Sequence, residues 1–288
     1  MRIFVAGGTG VVGRRMLPDL VQAGHAVTVM TRDPERARSL VADGVDIAQG
    51  DVLDASIVRL ALATSSPVVV FHQLTDLTKR DRRANARLRI NGTRNLVEAC
   101  LQVGTERVVA QSIAWAYEPG EAPAPESTSL DVASPSEDRR DTVQAIATLE
   151  EQVARVAHGV VLRYGMLYGP DTWYWNDGMM ATLARAGRLP ASPDVVSFVH
   201  VDDAARAAVD ALEWPAGPVN VVDDEPVAGT SWVPAFAEVV EAPEPVQTLD
   251  RQPWARGATN VHARDLGWSP RWESLRVGTP GSRRGQYS

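Results

Sequence analysis

Short, almost continuously apolar runs recur along this chain between helix-like segments. Ile3–Ala6, Ala26–Met30, Val68–His72, Arg107–Gln111, Val160–Tyr164 and Pro218–Val222 have strand length, and Asp46–Gln49 is a shorter candidate. The helical pattern falls on Arg14–Ala23, Pro34–Ala42, Ala55–Ala63, Ala86–Val103, Thr142–Ala157 and Val201–Glu213. Strands this apolar need cover on both faces, and strict alternation with helices implies parallel pairing through right-handed crossovers. The pattern therefore predicts an α/β protein with a doubly wound parallel sheet.

Two regions break the rhythm. Glu118–Glu137 is rich in Pro, Ser, Glu and Ala and is predicted to be a long loop. From Gly169 onward tryptophans and prolines gather irregularly, and they return between Val227 and Trp272. The expected organisation is one α/β domain over residues 1–168, completed by 195–224. A small C-terminal lobe follows, built from 169–194 and 225–277, with a disordered tail over 278–288.

The segment Arg2–Arg14 carries the sharpest local signal. An apolar strand runs into Gly7, Gly10 and Gly13 and then into a helix, with a second strand at the expected distance. In a dinucleotide site one such glycine permits the turn, one lets backbone N–H groups approach a pyrophosphate, and one lets helix and strand pack closely. Gly7, Thr9, Gly10, Val11, Val12 and Gly13 are the expected phosphate-binding residues, at the positive end of the helix. The competing account is a glycine-rich turn in an unrelated α/β protein.

Composition narrows the field. The net charge of −7 argues against a general nucleic-acid surface, and no apolar run reaches the ~18–20 residues of a membrane span. With Cys100 alone there is no internal disulfide and no cysteine metal cluster, so no metal is expected and a cytoplasmic location is. Lys79 is the one lysine, which removes lysine chemistry from almost every position.

Four ordered motifs together resemble the extended short-chain dehydrogenase/reductase family. They are the glycine segment, Asn91-Gly-Thr-Arg-Asn-Leu-Val-Glu-Ala99, Leu162-Arg-Tyr-Gly-Met-Leu-Tyr-Gly-Pro170 and Ser197-Phe-Val-His-Val-Asp-Asp-Ala-Ala205. The closing stretch from Asn260 to Trp272 is also similar to the family's. The resemblance implies a Rossmann fold, a nicotinamide cofactor, a small-molecule substrate and, by analogy, pairing into a homodimer. In the family an acidic residue ends the second strand and marks NAD. Here that position is Thr31, followed by Arg32, with Arg36 soon after; this favours NADP(H), with NAD(H) left open. The alternative makes Arg32 and Asp33 a solvated turn and helix cap. Asp51, with Val52, fits the adenine pocket, or Asp51 caps the helix near Ala55. His72 is placed by the resemblance at the end of the fourth strand beside the cofactor, where the family often has a packed histidine.

The family's usual engine is a tyrosine, a lysine four residues on, and a serine at the end of the fifth strand. The serine corresponds to Ser112. The pair does not survive: its positions hold Thr142 and Ile146, and no other tyrosine here has a lysine at that spacing. Three classes of function remain open. The first is an oxidoreductase or epimerase with another proton donor, for which Tyr117 is the first choice and an inward-turned Arg163 a source of positive charge; the alternatives are a loop anchor for Tyr117 and a strand-end salt bridge for Arg163. The second is a catalytically silent, NmrA-like redox sensor, and the third a non-redox enzyme for elimination or rearrangement. The expected substrate-contacting rings are Trp115, Tyr168, Trp173 and Tyr174, against the alternative that they form the lobe's own core.

Overall fold

The computed structural model describes residues 1–39, 44–76 and 81–272; Lys79 and the expected tail over 278–288 lie outside them. The chain begins β1 (Arg2–Ala6), α1 (Gly13–Gln22), β2 (Ala26–Thr31), α2 (Pro34–Arg38), β3 (Val45–Gln49), α3 (Ala55–Ser65), β4 (Val69–His72) and α4 (Arg82–Arg87). A π-helical turn, Leu88–Gly92, joins α4 to α5 (Thr93–Val103). Next come β5 (Arg107–Ile113), α6 (Glu137–Val153), β6 (His158–Tyr164), β7 (Met166–Tyr168), α7 (Met179–Arg185), β8 (Val195–Val196) and β9 (Phe198–His200). The chain closes with α8 (Val201–Asp210), β10 (Gly217–Val221), β11 (Val227–Ala228), α9 (Gly229–Val239) and α10 (Val261–Asp265).

Seven strands form the central sheet in the order β10-β6-β5-β4-β1-β2-β3. β1 pairs in parallel with both β2 and β4, and the order reverses beside it, as doubly wound winding requires. Phe4, Val5 and Ala6 are wholly buried, which is why these strands show no polar alternation. On one face Phe4, Val70 and Val108 pack with Val58 and Leu62 of α3 and Leu96 of α5.

The chain divides into two compact units. The first comprises Met1–Ser112, Asp131–Leu162 and Ala205–Pro218, and the second Ile113–Leu130, Arg163–Ala204 and Val219–Ser288, of which 273–288 lie outside the described residues. These segments differ from the domains expected at 1–168 with 195–224 and at 169–194 with 225–277. The second unit takes the loop after β5, because bridges join Tyr117 to Leu130 and Ala124 to Ala258. Its core is aromatic: Tyr168, Phe198, Trp232 and Phe236 pack together, with Tyr174 against them.

Two helices start several residues away from their predicted first residues. α6 starts at Glu137 rather than Thr142, because Glu137 and Asp138 supply negative charge to its first turn. The same Ser, Pro and acidic residues read as loop in the composition. The segment predicted as one helix from Ala86 begins at Arg82, where Asp81 accepts from the Ala84 N–H at 3.0 Å, and it is interrupted by the π turn.

Candidate active site

In the first unit the turn after β1 is shaped by steric exclusion. Gly7 has φ +98°, and a Cβ there would lie 2.5 Å from the Gln73 carbonyl carbon and oxygen. At Gly13 a Cβ would collide with the Gly7 carbonyl and approach the Gly8 Cα to 2.8 Å. The Gly10 N–H donates to the Gly7 carbonyl at 3.0 Å, closing the turn. Thr9, Gly10 and Val11 reach the surface, while Val12 and Gly13 are buried. α1 then opens from Val12 with no side-chain cap and no acidic residue in its first turn. A helix end left this way offers N–H donors and positive potential to an anion. The turn thus fits a pyrophosphate group: the side chains that would fill the cradle are absent, and no carboxylate competes for the helix end.

At the end of β2, Thr31 Oγ1 accepts from the Asp33 N–H at 3.2 Å, and Asp33 caps α2 by accepting from the Arg36 N–H at 3.0 Å. Asp33 is therefore used up by the helix. Arg32 and Arg36 are exposed, and neither pairs with a carboxylate among the described residues. Asp51 accepts from the Leu53 N–H at 3.0 Å, whereas Asp54 caps α3 through the Ser56 and Ile57 N–H groups, so the cap considered for Asp51 belongs to Asp54. The Val52 carbonyl receives the Asn95 amide at 2.9 Å, which ties the Asn91–Ala99 motif to the loop after β3.

His72 ends β4 and is buried. Its Nδ1 accepts from the Leu74 N–H at 3.4 Å, which leaves the proton on Nε2 to bond Thr93 Oγ1 at 2.7 Å. Burial, aided by the charge of Arg89, pulls His72 down to about 4, so the ring is neutral at physiological pH. Ser112 is buried too, and its hydroxyl donates to Glu150 Oε1 at 2.7 Å. Ser112 therefore meets α6 rather than open space. On α6 the Thr142 hydroxyl donates to the Asp138 carbonyl at 2.9 Å, and Ile146 is wholly buried. Neither position of the missing pair carries an acid.

In the second unit Tyr117 is 1% exposed and held from two sides. Its hydroxyl donates to Asn220 Oδ1 at 2.5 Å and accepts from Arg163 Nη1 at 2.9 Å. Burial pushes the phenol up to about 12, although the charge of Arg163 opposes this. Asn220 also donates to the Ala124 and Thr259 carbonyls, at 3.1 and 3.0 Å, so one amide gathers three segments. The geometry is that of the loop anchor considered for Tyr117; a hydroxyl so engaged is poorly placed to exchange protons.

Beside Tyr117 lies a crevice lined by Trp115, Met166, Val195, Val196, Trp254 and Arg256, among others. The Trp115 and Trp254 rings stand 6.2 Å apart at 45°. Tyr168 and Tyr174 do not face such a space. Tyr168 meets Phe198 and His200 edge-on, and Tyr174 meets Phe198 and Trp232, so both belong to the lobe's core, correcting the expectation that they contact substrate. Trp173 is 37% exposed and remains available.

Asn220, Glu150, Trp254 and Arg256 escaped the sequence expectations. Asn220 left a trace, as a lone amide inside an apolar strand run. Glu150 sits on a helix beside many other acids, and Arg256 is one arginine among many, so composition hid both.

The profile of the NAD dependent epimerase/dehydratase family matches residues 3–222. A 3-diazoavenalumate denitrifying reductase from a Streptomyces species is 43% identical, over 96% of this chain and 99% of that protein. Among solved structures, the UDP-glucose 4-epimerase of Thermus thermophilus in complex with NAD aligns with a TM-score of 0.72 and 25% identity, covering 96% and 97% of the two chains. The UDP-glucose 4-epimerase of Thermotoga maritima with UDP-glucose shares the fold at a TM-score of 0.77 and 21% identity, again over 96% and 97%.

Proposed function

This chain belongs to the NAD dependent epimerase/dehydratase family, and from that premise we propose that it is an NADP(H)-dependent reductase replacing the dinitrogen of a diazotised arene with hydrogen. Family and relatives support a nicotinamide dinucleotide and an oxidoreductase or epimerase; the substrate and the phosphate preference are the proposal. The observation that carries it is the pairing of a full-length diazo-reductase relative with Thr142 and Ile146 where the proton-transfer pair belongs.

When bound, the reduced nicotinamide would supply a hydride, two electrons for replacement of the aryl C–N bond by C–H with dinitrogen as the neutral leaving group. No proton moves in that balance. Reduction of a carbonyl, by contrast, leaves an alkoxide that a positioned acid must protonate. An enzyme whose leaving group is neutral dinitrogen has no need of a tyrosine primed by lysine, and the bond of Thr142 to its own helix is then tolerated.

The chain's residues bind and orient. The Gly7–Gly13 turn and the uncapped start of α1 hold the pyrophosphate. Arg32 and Arg36 grip the 2′-phosphate in the absence of a carboxylate at Thr31, while Asp51 and Val52 border the adenine. Neutral His72 fixes the end of β4 through Thr93. Ser112 and Tyr117 act as positioning residues, Ser112 by holding Glu150 and Tyr117 by holding Asn220.

Purified protein incubated with a diazotised aminohydroxybenzoate and either NADPH or NADH tests this. The expected result is nicotinamide oxidation faster with NADPH, release of labelled dinitrogen, and one deuterium in the arene from deuterated cofactor. Turnover no faster than the enzyme-free rate, or reduction confined to ketones or nucleotide sugars, overturns it.

A further inference from the structure

Three arginines are buried among the described residues, and two of them have partners. Arg139 pairs with Asp131 at 2.6 Å, and Arg163 donates to the Tyr117 hydroxyl at 2.9 Å and the Glu126 carbonyl at 3.2 Å. The third, Arg89, is 7% exposed, and its side chain meets neither a carboxylate nor a hydrogen-bond acceptor among the described residues. Burial pulls it down to about 10, so the guanidinium is still charged at neutral pH. A cation buried alone is costly, because nothing offsets the water it has lost. Neutral His72 cannot offset it, since the charge of Arg89 itself opposes protonation of that ring.

The fold places this charge outside the carboxyl edge of the sheet. α5 crosses from β4 back to the start of β5, so its first turn lies level with the end of β4, and the 2.7 Å contact of Thr93 with His72 fixes that level. Arg89 stands one turn before Thr93 on the same face, and therefore farther out. It lies within the π turn, a distortion that recurs at functional sites. Strand order reverses here as well: His72 is level with Ala6 of β1, and Gly7 then turns against the Gln73 main chain. In doubly wound sheets this is the crevice that ligands enter. A planar fork of N–H donors with no internal acceptor suits the oxygens of an anion arriving there.

We propose that Arg89 is an oxyanion-binding residue: its guanidinium receives a phosphate or carboxylate group of a ligand lying outside the ends of β1 and β4. The ligand brings the counter-charge that the protein omits. Two sources present this chemistry, the diphosphate of a bound dinucleotide and the acid group of an organic substrate. Nothing in the proposal rests on the diazo chemistry.

Thermal unfolding and calorimetry of the full chain with pyrophosphate, benzoate and NADPH, each against sodium chloride of equal ionic strength, make the test. Pyrophosphate or benzoate is expected to raise the melting temperature of the unaltered protein. Arg89→Met should weaken binding of the responsible anion roughly 10- to 100-fold, the range of charged hydrogen bonds, and Arg89→Lys should keep part of it. Ligand-free Arg89→Met should melt no earlier than the unaltered protein, because methionine leaves no charge alone. Loss of pyrophosphate and NADPH affinity with benzoate unaffected identifies the dinucleotide, whereas loss of benzoate alone identifies the substrate's acid. Three results each overturn the proposal: no response of the unaltered protein to either anion, unchanged affinity of Arg89→Met for all three ligands, or a ligand-free Arg89→Met that melts clearly earlier, as loss of an internal partner requires. The first needs no variant to fold. None of these measurements needs turnover, so absence of diazo reduction sinks the reductase reading and spares this one. Diazo reduction alongside unchanged binding by Arg89→Met does the reverse.

Discussion

Gly13 and Arg256 lie in different units and are held by different means. Around Gly13 the constraint comes from main chain: a carbonyl, a Cα and the start of a helix occupy the space that any side chain would need. Around Arg256 and Tyr117 it comes from side chains reaching backbone acceptors, with Asn220 gathering Ala124, Thr259 and Tyr117 at one point. A site made of main chain fixes residue types at fixed spacings, because few residues satisfy its sterics. A site made of side chains is met by many combinations. The first unit can therefore keep a pattern shared by enzymes of many substrates, while the second can change its side chains without changing its fold.

The largest expected effect tests the main-chain half. Gly13→Ala places a methyl group against the Gly7 carbonyl and forces the turn open. Affinity for NADPH, read by fluorescence titration, should fall by more than about 1000-fold, or about 4 kcal/mol. Gly24→Ala is the control: its Cβ meets nothing within 4 Å, so only its positive φ of +77° is at stake. That variant should lose about 1 kcal/mol of stability and no cofactor affinity. Comparable losses of binding in the two variants would remove the steric account of the turn.

This difference explains what the sequence made legible. The strand–glycine–helix segment and the parallel sheet were readable, because backbone sterics and burial write directly into residue type and period. The fates of Tyr117, Tyr168 and Tyr174 were not, since a tyrosine in a core and a tyrosine in a pocket have the same letter and the same neighbours in sequence. Glu150 and Arg256 were hidden for a related reason. Their partners, Ser112 and the Glu118–Ala122 loop, lie 38 residues and more than 130 residues away along the chain. The start of α6 was obscured locally, where a helix-capping composition coincides with that of a loop.

The side-chain half breaks at Asn220. Asn220→Ala removes three hydrogen bonds and leaves the buried Tyr117 hydroxyl and two carbonyls short of a partner. The expected loss is roughly 3 to 4 kcal/mol in urea unfolding, well above the contribution of any one of these bonds. Tyr117→Phe, which removes one partner only, should lose less than half as much. A loss below about 1 kcal/mol for Asn220→Ala would show that the second unit does not depend on this junction.

The two units also answer acid with opposite sign. In the first, His72 is held neutral, with a folded pKa of about 4 against 6.5 for the free side chain. Its folded value is depressed, so the unfolded chain binds the extra proton first. Stability is complete above pH 6.5 and is lost as pH falls toward 4, by roughly 3 kcal/mol across that window. In the second unit burial, and then the nearby charge of Asp203, hold Asp223 well above the usual carboxylate range. Here the folded state binds the proton first, so stability is greatest below the ordinary carboxylate pKa and declines as pH rises toward the raised one. His72→Phe should therefore flatten the acid limb of the stability profile, whatever it does to the plateau. Asp223→Asn should raise stability at neutral pH, with a gain that shrinks on acidification. Profiles shifted in parallel by both variants would mean that neither group titrates in its folded environment as its burial demands. The contrast in sign would then have to come from other residues of the two units.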